Sequence, residues 1–405
     1  MIIRGKTLLT GDGNTVVKDA ALRFDEKKGV ITYAGPASML PCCCPDEQEI
    51  DYGDVTILPG LIDMHVHIGY WWGKPDPENY DDFLTAYMGL ERLQQARASG
   101  ITTVRDMASP RFLCGKMRLA AQKGYIDIPR VIHANQAICA SGGHGWDLTG
   151  GTVECDGEEE IRKAVRRQLR DGADWIKVMT SHRSDISEYT QQELDAAVEE
   201  SHRMGVKTAV HAGPSAAVEM AINAGFDTIE HGTFMTVAQA QRMAEKGIFW
   251  VPTIVAYTYI YETALKMREE NVPEETMEQL GLTGKGFDYF KRAAEAYKGN
   301  FKQLYDTGVK VCVGTDMVMD GSPAAPVSRE LWYMTQYGLS PVEAVRTATA
   351  NSAEALGMAG EIGVLAENAL ADILIVDGDA SSDIRLLEKV RAVYQQGRVV
   401  FTKYR

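Results

Sequence analysis

The chain has 405 residues, 45% of them hydrophobic, and a formal net charge of −14 from 42 basic and 56 acidic residues. This length is typical of one large domain with a smaller unit, and the lack of a long basic run argues against nucleic acid or an anionic membrane as a partner. No apolar run is long enough to span a bilayer, and the first residues, MIIRGKTLLTGDG, lack the apolar core of a signal peptide. We therefore expect a soluble, cytoplasmic protein.

Short strands are predicted at both ends of the chain. Near the N-terminus, IIRGKTLL, VVKDAALRF and GVITYAG are separated by turn sequences. Near the C-terminus, ADILIVDG precedes RAVYQQGRVVFTK, which has the pattern of a hairpin. Because the region between them has a different pattern, we predict that residues 1–57 and 359–405 pair into one small β-sandwich.

Residues 58–358 alternate between apolar strand candidates and helices with charged outer faces, such as EEEIRKAVRRQLRDG. The eight strand candidates are ILPGLIDMHVHI, ITTVRDM, RVIHANQAI, DWIKVMT, VKTAVHA, DTIEHGT, IFWVPTI and VKVCVGTD. Eight strands alternating with helices predict an α/β fold, specifically a (β/α)8 or TIM barrel. Residues 257–306, in the seventh connection, have a mostly helical pattern, and their role as a lid or as an interface stays open.

Side chains that bind metals recur at the ends of five of these strands. In a TIM barrel, functional groups gather at the C-terminal ends of the strands. Residues two apart in a strand point to the same side, so the first pair of histidines can face one ion. A lone histidine at a strand end is more often a core residue, but five such ends together predict a metal centre. The candidates are His65, His67, Lys177, His211, His231 and Asp316.

In these motifs the chain resembles the metal-dependent amidohydrolase superfamily. The PGLID-HVH opening, the strand-four lysine, the VHA and EHG histidines and the GTD aspartate follow its pattern in order. TATANSAEALG followed by ADILIVDG resembles its exit from the barrel, so the similarity covers almost the whole chain. GADWIKVM, HAGPSAAVEMAINAGFDTIEHGT and VPTIVAY are most similar to the subgroup of Xaa-Pro dipeptidases, related carboxypeptidases and imidazolonepropionase-like proteins.

The resemblance implies two divalent metal ions bridged by a modified Lys177. A free lysine has a pKa near 10.4 and is a poor ligand, so an ordinary buried lysine paired with a carboxylate is the alternative. In binuclear members of the superfamily, the equivalent lysine reacts with CO2 to form a carbamate (N6-carboxylysine). One ion would then bind His65, His67, the carbamate and Asp316, and the other would bind the carbamate, His211 and His231. Zinc suits such nitrogen and oxygen ligands, whereas manganese, cobalt and iron stay open.

The same resemblance implies the roles of the residues around the metals. Two ions would supply a bridging hydroxide near neutral pH, and Asp316 would take its proton and pass it to the departing amine. His144, in SGGHGWD, and Tyr257, in VPTIVAY, would contact the substrate carbonyl or its oxyanion; a surface histidine and a packing tyrosine are the alternatives. Arg183 is a candidate clamp for a substrate carboxylate or a solvated loop residue. Arg105 and Asp106 are expected to form a structural ion pair beneath the site.

Together these features predict a binuclear metal-dependent hydrolase that cleaves an amide bond of a dipeptide or an N-acyl amino acid. The resemblance also implies a small-molecule substrate and a homo-oligomer. Hydrolysis of a cyclic amide, a lactone or a phosphoester on the same centre is the main alternative. A deaminase fits less well, since such members usually use one ion and lack the strand-four lysine. A non-catalytic binding protein is expected to have lost ligands, and none of the six is missing.

Overall fold

The computed structural model of the chain describes residues 1–42, 47–70, 81–148, 150–181, 185–316 and 326–403. Arg183 lies outside these residues, so its role stays a prediction. Contacts divide the chain into a first unit, Met1–Asp63, Gln94–Thr103 and Pro326–Arg405, and a second unit, Met64–Leu93 and Val104–Ala325. The domain limits inferred from the sequence also stay predictions.

The strands are β1 (Ile2–Leu9), β2 (Val16–Asp25), β3 (Val30–Pro36), β4 (Glu49–Asp51), β5 (Val55–Pro59), β6 (Leu61–Val66), β7 (Ile101–Asp106), β8 (Arg130–His133), β9 (Ala137–Cys139), β10 (Thr152–Glu154), β11 (Trp175–Met179), β12 (Lys207–Ala212), β13 (Thr228–His231), β14 (Phe249–Val251), β15 (Ile373–Asp377), β16 (Val390–Gln395) and β17 (Arg398–Thr402). The α-helices are α1 (Asp82–Ala98), α2 (Leu113–Gln122), α3 (Gly157–Arg170), α4 (Gln191–Arg203), α5 (Ser215–Ala224), α6 (Val237–Lys246), α7 (Ile254–Glu269), α8 (Glu274–Gln279), α9 (Gly284–Tyr305), α10 (Val327–Gln336), α11 (Pro341–Thr347) and α12 (Ala350–Leu356).

The first unit contains a sheet built from both ends of the chain. Its strand order is β17-β16-β15-β5-β1-β2-β3, with β4 beside β1. Ile57 of β5 pairs in parallel with Leu8 of β1 and antiparallel with Ile375 of β15, which confirms that the two ends meet. The hydrogen bonds form one continuous sheet rather than two separate ones, and its apolar residues share a single core. That core includes Ile3, Leu8, Leu22, Phe24, Ile31, Ile57, Ile373, Ile375 and Tyr394.

The second unit has the alternation of strands and helices that the sequence predicts. A six-stranded sheet has the order β10-β9-β11-β12-β13-β14, and every pair in it is parallel. Helices α3, α4, α5 and α6 connect its successive strands from β10 to β14. A three-stranded sheet has the order β6-β7-β8. His65 of the HVH motif lies in β6, and His67 follows that strand. The fold is therefore α/β, with parallel strands that are buried on both faces.

The segment predicted as the eighth strand is not assigned as a continuous strand. VKVCVGTD, residues 309–316, forms a single bridge between Val311 and Trp250 instead of a strand. Its backbone bonds go to both sides in turn, since Trp250 N donates to Lys310 O at 2.9 Å and Met64 N donates to Val313 O at 2.9 Å. Residues 309–316 do not form two consecutive bridges to the same neighbouring strand. The sheets of the described residues are therefore not joined into a closed barrel.

The seventh connection is helical, as predicted, and consists of α7, α8 and α9. Tyr257 lies in the first turn of α7, which begins at Ile254. The strand before it ends at Val251, because Pro252 and a left-handed Thr253 (φ 52°) turn the chain into the helix. Across the described part of the chain, no helix combines the length and the apolar character needed to cross a membrane.

Candidate metal centre

Two histidines and an aspartate lie close enough to share an ion. His65 is the second-last residue of β6, which ends at Val66, and His67 comes directly after the strand. Their Nε2 atoms are 3.2 Å apart, and Asp316 Oδ1 lies 3.5 Å from the first and 3.2 Å from the second. Two nitrogen ligands on one tetrahedral zinc ion lie about 3.3 Å apart, so the spacing fits a shared cation. Ligand atoms of His65, His231 and Asp316 also lie within 4.8 Å of one another.

Hydrogen bonds fix which ring nitrogen faces this point. His65 Nδ1 lies 2.6 Å from Glu230 Oε2, and His67 Nδ1 lies 2.9 Å from Ala108 O. A carbonyl oxygen and a carboxylate accept hydrogen bonds, so both histidines carry their proton on Nδ1. Their Nε2 lone pairs are therefore directed at the shared point, which is the arrangement that metal-binding histidines adopt.

A hydrogen bond to Thr253 sets the tautomer of His231. Its hydroxyl Oγ1 lies 2.7 Å from His231 Nδ1 and donates to Pro252 O at 2.7 Å. A hydroxyl has one proton, so while Thr253 donates to the carbonyl it accepts from His231 Nδ1. This leaves Nε2 of His231 unprotonated as well.

The other two ligand candidates come from the neighbouring strands of the six-stranded sheet. His211 ends β12, and its ring centroid lies 4.3 Å from that of His231 and 4.2 Å from that of His144. Lys177 lies in β11 and is 1% exposed. Burial lowers the pKa of Lys177 to about 8, against the opposing effect of the Glu230 and Asp316 charges.

Burial also sets the charge of the histidines. It lowers the pKa of His65 and of His211 well below the ordinary value, and it lowers that of His231 to about 4. These three imidazoles are therefore neutral near pH 7, which is the form that binds metals. Burial alone would raise the pKa of Asp316, but the histidines around it lower this pKa, so Asp316 is a carboxylate. At His67, burial acts to lower the pKa, but the hydrogen bond and the charge of Asp316 act to raise it, and the pKa of His67 is raised.

A buried ion pair lies beneath the candidate ligands, but its partners differ from those expected. Arg105 Nη2 donates to Glu230 Oε1 at 2.8 Å, not to Asp106. Neighbouring residues in a strand point to opposite faces, so Arg105 and Asp106 cannot pair. Asp106 accepts instead from Ile68 N at 2.9 Å, and so it holds the loop that follows the HVH motif.

Glu230 is the functional residue that the sequence analysis missed. It is fully buried and connects Arg105 to His65. In a regular strand Glu230 would face away from its neighbour His231, but His231 has a φ of 70°, which breaks the alternation of the strand. A carboxylate in the buried strand TIEH, matched by an arginine in ITTVRD, was the available signal.

Several residues at this site have left-handed backbones that are rare outside glycine. His231, Thr253 and Asp316 have φ values of 70°, 52° and 51°. For a β-branched threonine this is a strained conformation, and such strain persists only where surrounding contacts enforce it. Those contacts exist: Trp250 Nε1 donates to His231 O at 2.7 Å, and the Tyr297 hydroxyl lies 2.7 Å from Pro252 O.

A cavity of about 140 Å³ opens beside the ligand candidates. Its polar side contains His144, His211 and Asp316, and its other side consists of residues from α7 and α9. The Tyr257 ring borders the cavity, with its centroid 5.6 Å from that of His231. His144 is held by its backbone N, which donates to Glu188 Oε2 at 2.8 Å. The structure thus brings the candidate ligands, His144 and Tyr257 together, whereas Arg183 lies outside the described residues.

Comparisons with known proteins agree over almost the whole chain. Residues 56–400 match the model of the amidohydrolase family. The ochratoxinase of Aspergillus niger is 28% identical over 432 aligned residues, covering 97% of this chain and 84% of that protein. A Xaa-Pro dipeptidase structure with methionine bound in the active site has a TM-score of 0.86 at 28% identity and covers 99% of both chains. A prolidase structure complexed with N-methylphosphonate-L-proline has a TM-score of 0.84 at 26% identity, again with 99% of both chains covered.

Proposed function

Because the chain belongs to the amidohydrolase family and is a hydrolase of carbon–nitrogen bonds, we propose that it cleaves the amide bond of a dipeptide or an N-acyl amino acid at a binuclear metal centre. The proposal depends on one observation: the Nε2 atoms of His65 and His67 and Oδ1 of Asp316 lie 3.2–3.5 Å from one another. These residues border or adjoin a cavity that also reaches His144 and His211.

The proposal includes a closed (β/α)8 barrel in which residues 309–316 act as the eighth strand. Support comes from the bonds that this segment makes to β14 on one side and to β6 on the other. Gly314 supports it further: a Cβ there would collide with Val251 and would lie 2.7 Å from Cβ of His65. The segment therefore passes so close between two strands that only glycine fits.

The donor set fits two divalent ions. His65, His67 and Asp316 would hold one, His211 and His231 would hold the other, and a carboxylated Lys177 would bridge them. The lowered pKa of Lys177, about 8, supports carboxylation, because only the neutral amine reacts with CO2. When bound, the ions would lower the pKa of a shared water molecule and polarise the scissile carbonyl; zinc is the ion that the ligands suit best.

The side chains around this centre would transfer the proton and bind the carbonyl oxygen. Asp316, ionised at neutral pH, accepts the proton of the attacking water and delivers it to the departing amine, which leaves poorly unless protonated. Burial raises the pKa of Tyr257 well above its ordinary value, so its hydroxyl stays protonated and can donate to the carbonyl oxygen. His144, stacked near His211, is placed to contact the same oxygen.

The relatives support an amino-acid substrate. The Xaa-Pro dipeptidase of similar fold binds methionine in its active site, and the prolidase binds a phosphonate derivative of proline. By analogy, we propose that this chain acts on a small molecule with an amino acid on one side of the scissile amide.

The test is release of amine from a library of dipeptides and N-acyl amino acids. The protein is first loaded with zinc in bicarbonate, and its metal content is measured. We expect selective turnover by protein that contains two metal ions per chain. Two bound ions without turnover of any amide in the library would overturn the proposal and direct attention to lactones, cyclic amides and phosphoesters.

A further inference from the structure

One side of the cavity beside the metal centre is an apolar wall. It is made by two helices of the seventh connection, α7 and α9. The wall residues are Ala256, Tyr257, Ile260, Tyr289 and Phe290. Each is less than 10% exposed, so the wall is largely buried rather than part of the exposed surface. We call the cavity that it borders the recess.

Contacts between aromatic rings stabilise the positions of the wall side chains. The Tyr257 ring centroid lies 6.1 Å from that of Tyr289 and 6.2 Å from that of Phe290. Such separations are typical of aromatic pairs that stabilise one another. The recess is therefore preformed, and a ligand entering it does not have to order these side chains.

The size and chemistry of the recess restrict what it can bind. Its volume, about 140 Å³, is close to the roughly 150 Å³ of an apolar protein cavity that binds one benzene molecule. Among the described residues that line it, His144, His211 and Asp316 are the ionisable groups other than tyrosine, and all three belong to the candidate catalytic side. A charged substrate side chain placed against the wall would lose its hydration and would find no oppositely charged group among the five wall residues.

We propose that the substrate has an aromatic or large apolar side chain beside the scissile amide, and that this side chain packs against Ile260, Tyr289 and Phe290. This inference rests on the proposed amide hydrolysis and adds its specificity. Side chains of the size of phenylalanine, leucine or methionine fill the recess, glycine leaves it empty, and lysine and glutamate are rejected.

The first experiment compares kcat/KM for N-acetyl derivatives of phenylalanine, leucine, glycine, lysine and glutamate. We expect the phenylalanine and leucine substrates to exceed the other three by at least about tenfold, since each methylene bound in an apolar pocket contributes roughly 1–3 kcal/mol. Phe290→Ala should lower the ratio of kcat/KM for the phenylalanine substrate to that for the glycine substrate by about 10- to 100-fold. Ile260→Ala should act in the same direction with a smaller effect.

Leu265→Ala is the matched control. Leu265 lies on α7 with Ile260 but is 37% exposed and does not line the recess. Thermal unfolding and metal content show whether each variant is folded and loaded. A variant that lowers kcat/KM equally for all substrates, or a wild-type protein that prefers glycine or charged residues, overturns the inference while amide hydrolysis stands.

Calorimetric binding of free L-phenylalanine and L-lysine to the zinc-loaded protein separates the inference from the proposed function. If no amide is hydrolysed but phenylalanine binds and Phe290→Ala weakens it, the proposed function fails and the apolar recess is supported. If there is neither turnover nor selective binding, both fail.

Discussion

A strand pair in the first unit has a more regular backbone than the candidate site in the second unit. In the first unit, β5 and β15 pair over five successive positions, and the sheet that contains them has an apolar core. In the second unit, the segment 309–316 makes one bridge and then ends at Asp316 in a left-handed conformation. We call the β5–β15 pair the regular region, and the left-handed backbone at His231, Thr253 and Asp316 the irregular region, where candidate ligands lie.

The difference shows how the second unit directs side chains that a regular strand would direct apart. In an ideal strand Glu230 and His231 face opposite sides, but the left-handed His231 lets both lie close to His65. The contacts from Trp250, Thr253 and Tyr297 stabilise this conformation. Such strain costs of order 1–3 kcal/mol per residue, and it persists because the surrounding hydrogen bonds over-determine it. The following predictions test whether the irregular region carries the function and the regular region only the stability.

The largest effect is expected for Asp316→Asn. The amide cannot accept the proton of water or return it to the amine, and it is a weaker ligand, so we expect kcat to fall by at least about 10³-fold. Turnover and metal content are measured together. Asp306→Asn, a change at an exposed carboxylate that pairs with Lys302 on the surface, is the control and should leave kcat within about twofold. Retention of more than about a tenth of the activity by Asp316→Asn would refute its role in proton transfer.

Glu230→Gln should have the next largest effect. The carboxylate orients His65 and neutralises buried Arg105. Because its loss leaves a buried charge uncompensated, we expect the free energy of unfolding to fall by about 3–5 kcal/mol. The affinity for zinc, measured by chelator competition on folded protein, should fall by about 10- to 100-fold.

Glu199→Gln is the matched control for Glu230→Gln. It removes an exposed carboxylate that pairs with Arg162, and surface pairs contribute less than about 1 kcal/mol. Equal losses of stability in the two variants would show that the buried pair has no special part in the site.

Thr253 separates the effect of a hydroxyl from the effect of shape. Thr253→Val keeps the branched side chain but removes the acceptor for His231 Nδ1, so we expect the zinc affinity to fall by about tenfold. Thr253→Ser keeps the hydroxyl and should bind zinc within about threefold of the wild-type protein. Nitrogen-15 NMR of the histidine ring reports the tautomer directly. If valine and serine variants bind zinc equally, the hydroxyl does not orient His231.

Much of this candidate site was predictable because its histidines lie at or near the ends of predicted strands. His65, His67, His211 and His231 were identified as metal-binding types at strand ends, and the structure brings them together. The resemblance to the amidohydrolase superfamily, drawn from the same motifs, is confirmed. The α/β alternation and the meeting of both chain ends in one sheet are likewise confirmed.

The rest depends on tertiary contacts that no local pattern encodes. Thr253 and Tyr297 act through hydroxyl groups, and their partners are distant in sequence, as with Tyr297 and His231, 66 positions apart. VKVCVGTD has the composition of a strand, but its backbone bonds are divided between Trp250 and β6, and only one bridge forms. The left-handed turn at Thr253, after which α7 begins, has no glycine to signal it in VPTIVAY.

Ile57→Ala tests the regular region and should have the smallest effect on function. Ile57 is fully buried in the core of the first unit, where it pairs with Leu8 and Ile375. Truncating it leaves a cavity, so we expect the free energy of unfolding to fall by about 2–5 kcal/mol in urea titrations. It does not line the recess or contact a candidate ligand, so kcat and zinc affinity of the folded protein should stay within about twofold. A tenfold loss of zinc affinity without unfolding would mean that the regular sheet controls the geometry of the metal centre, and that the division of roles between the two units is wrong.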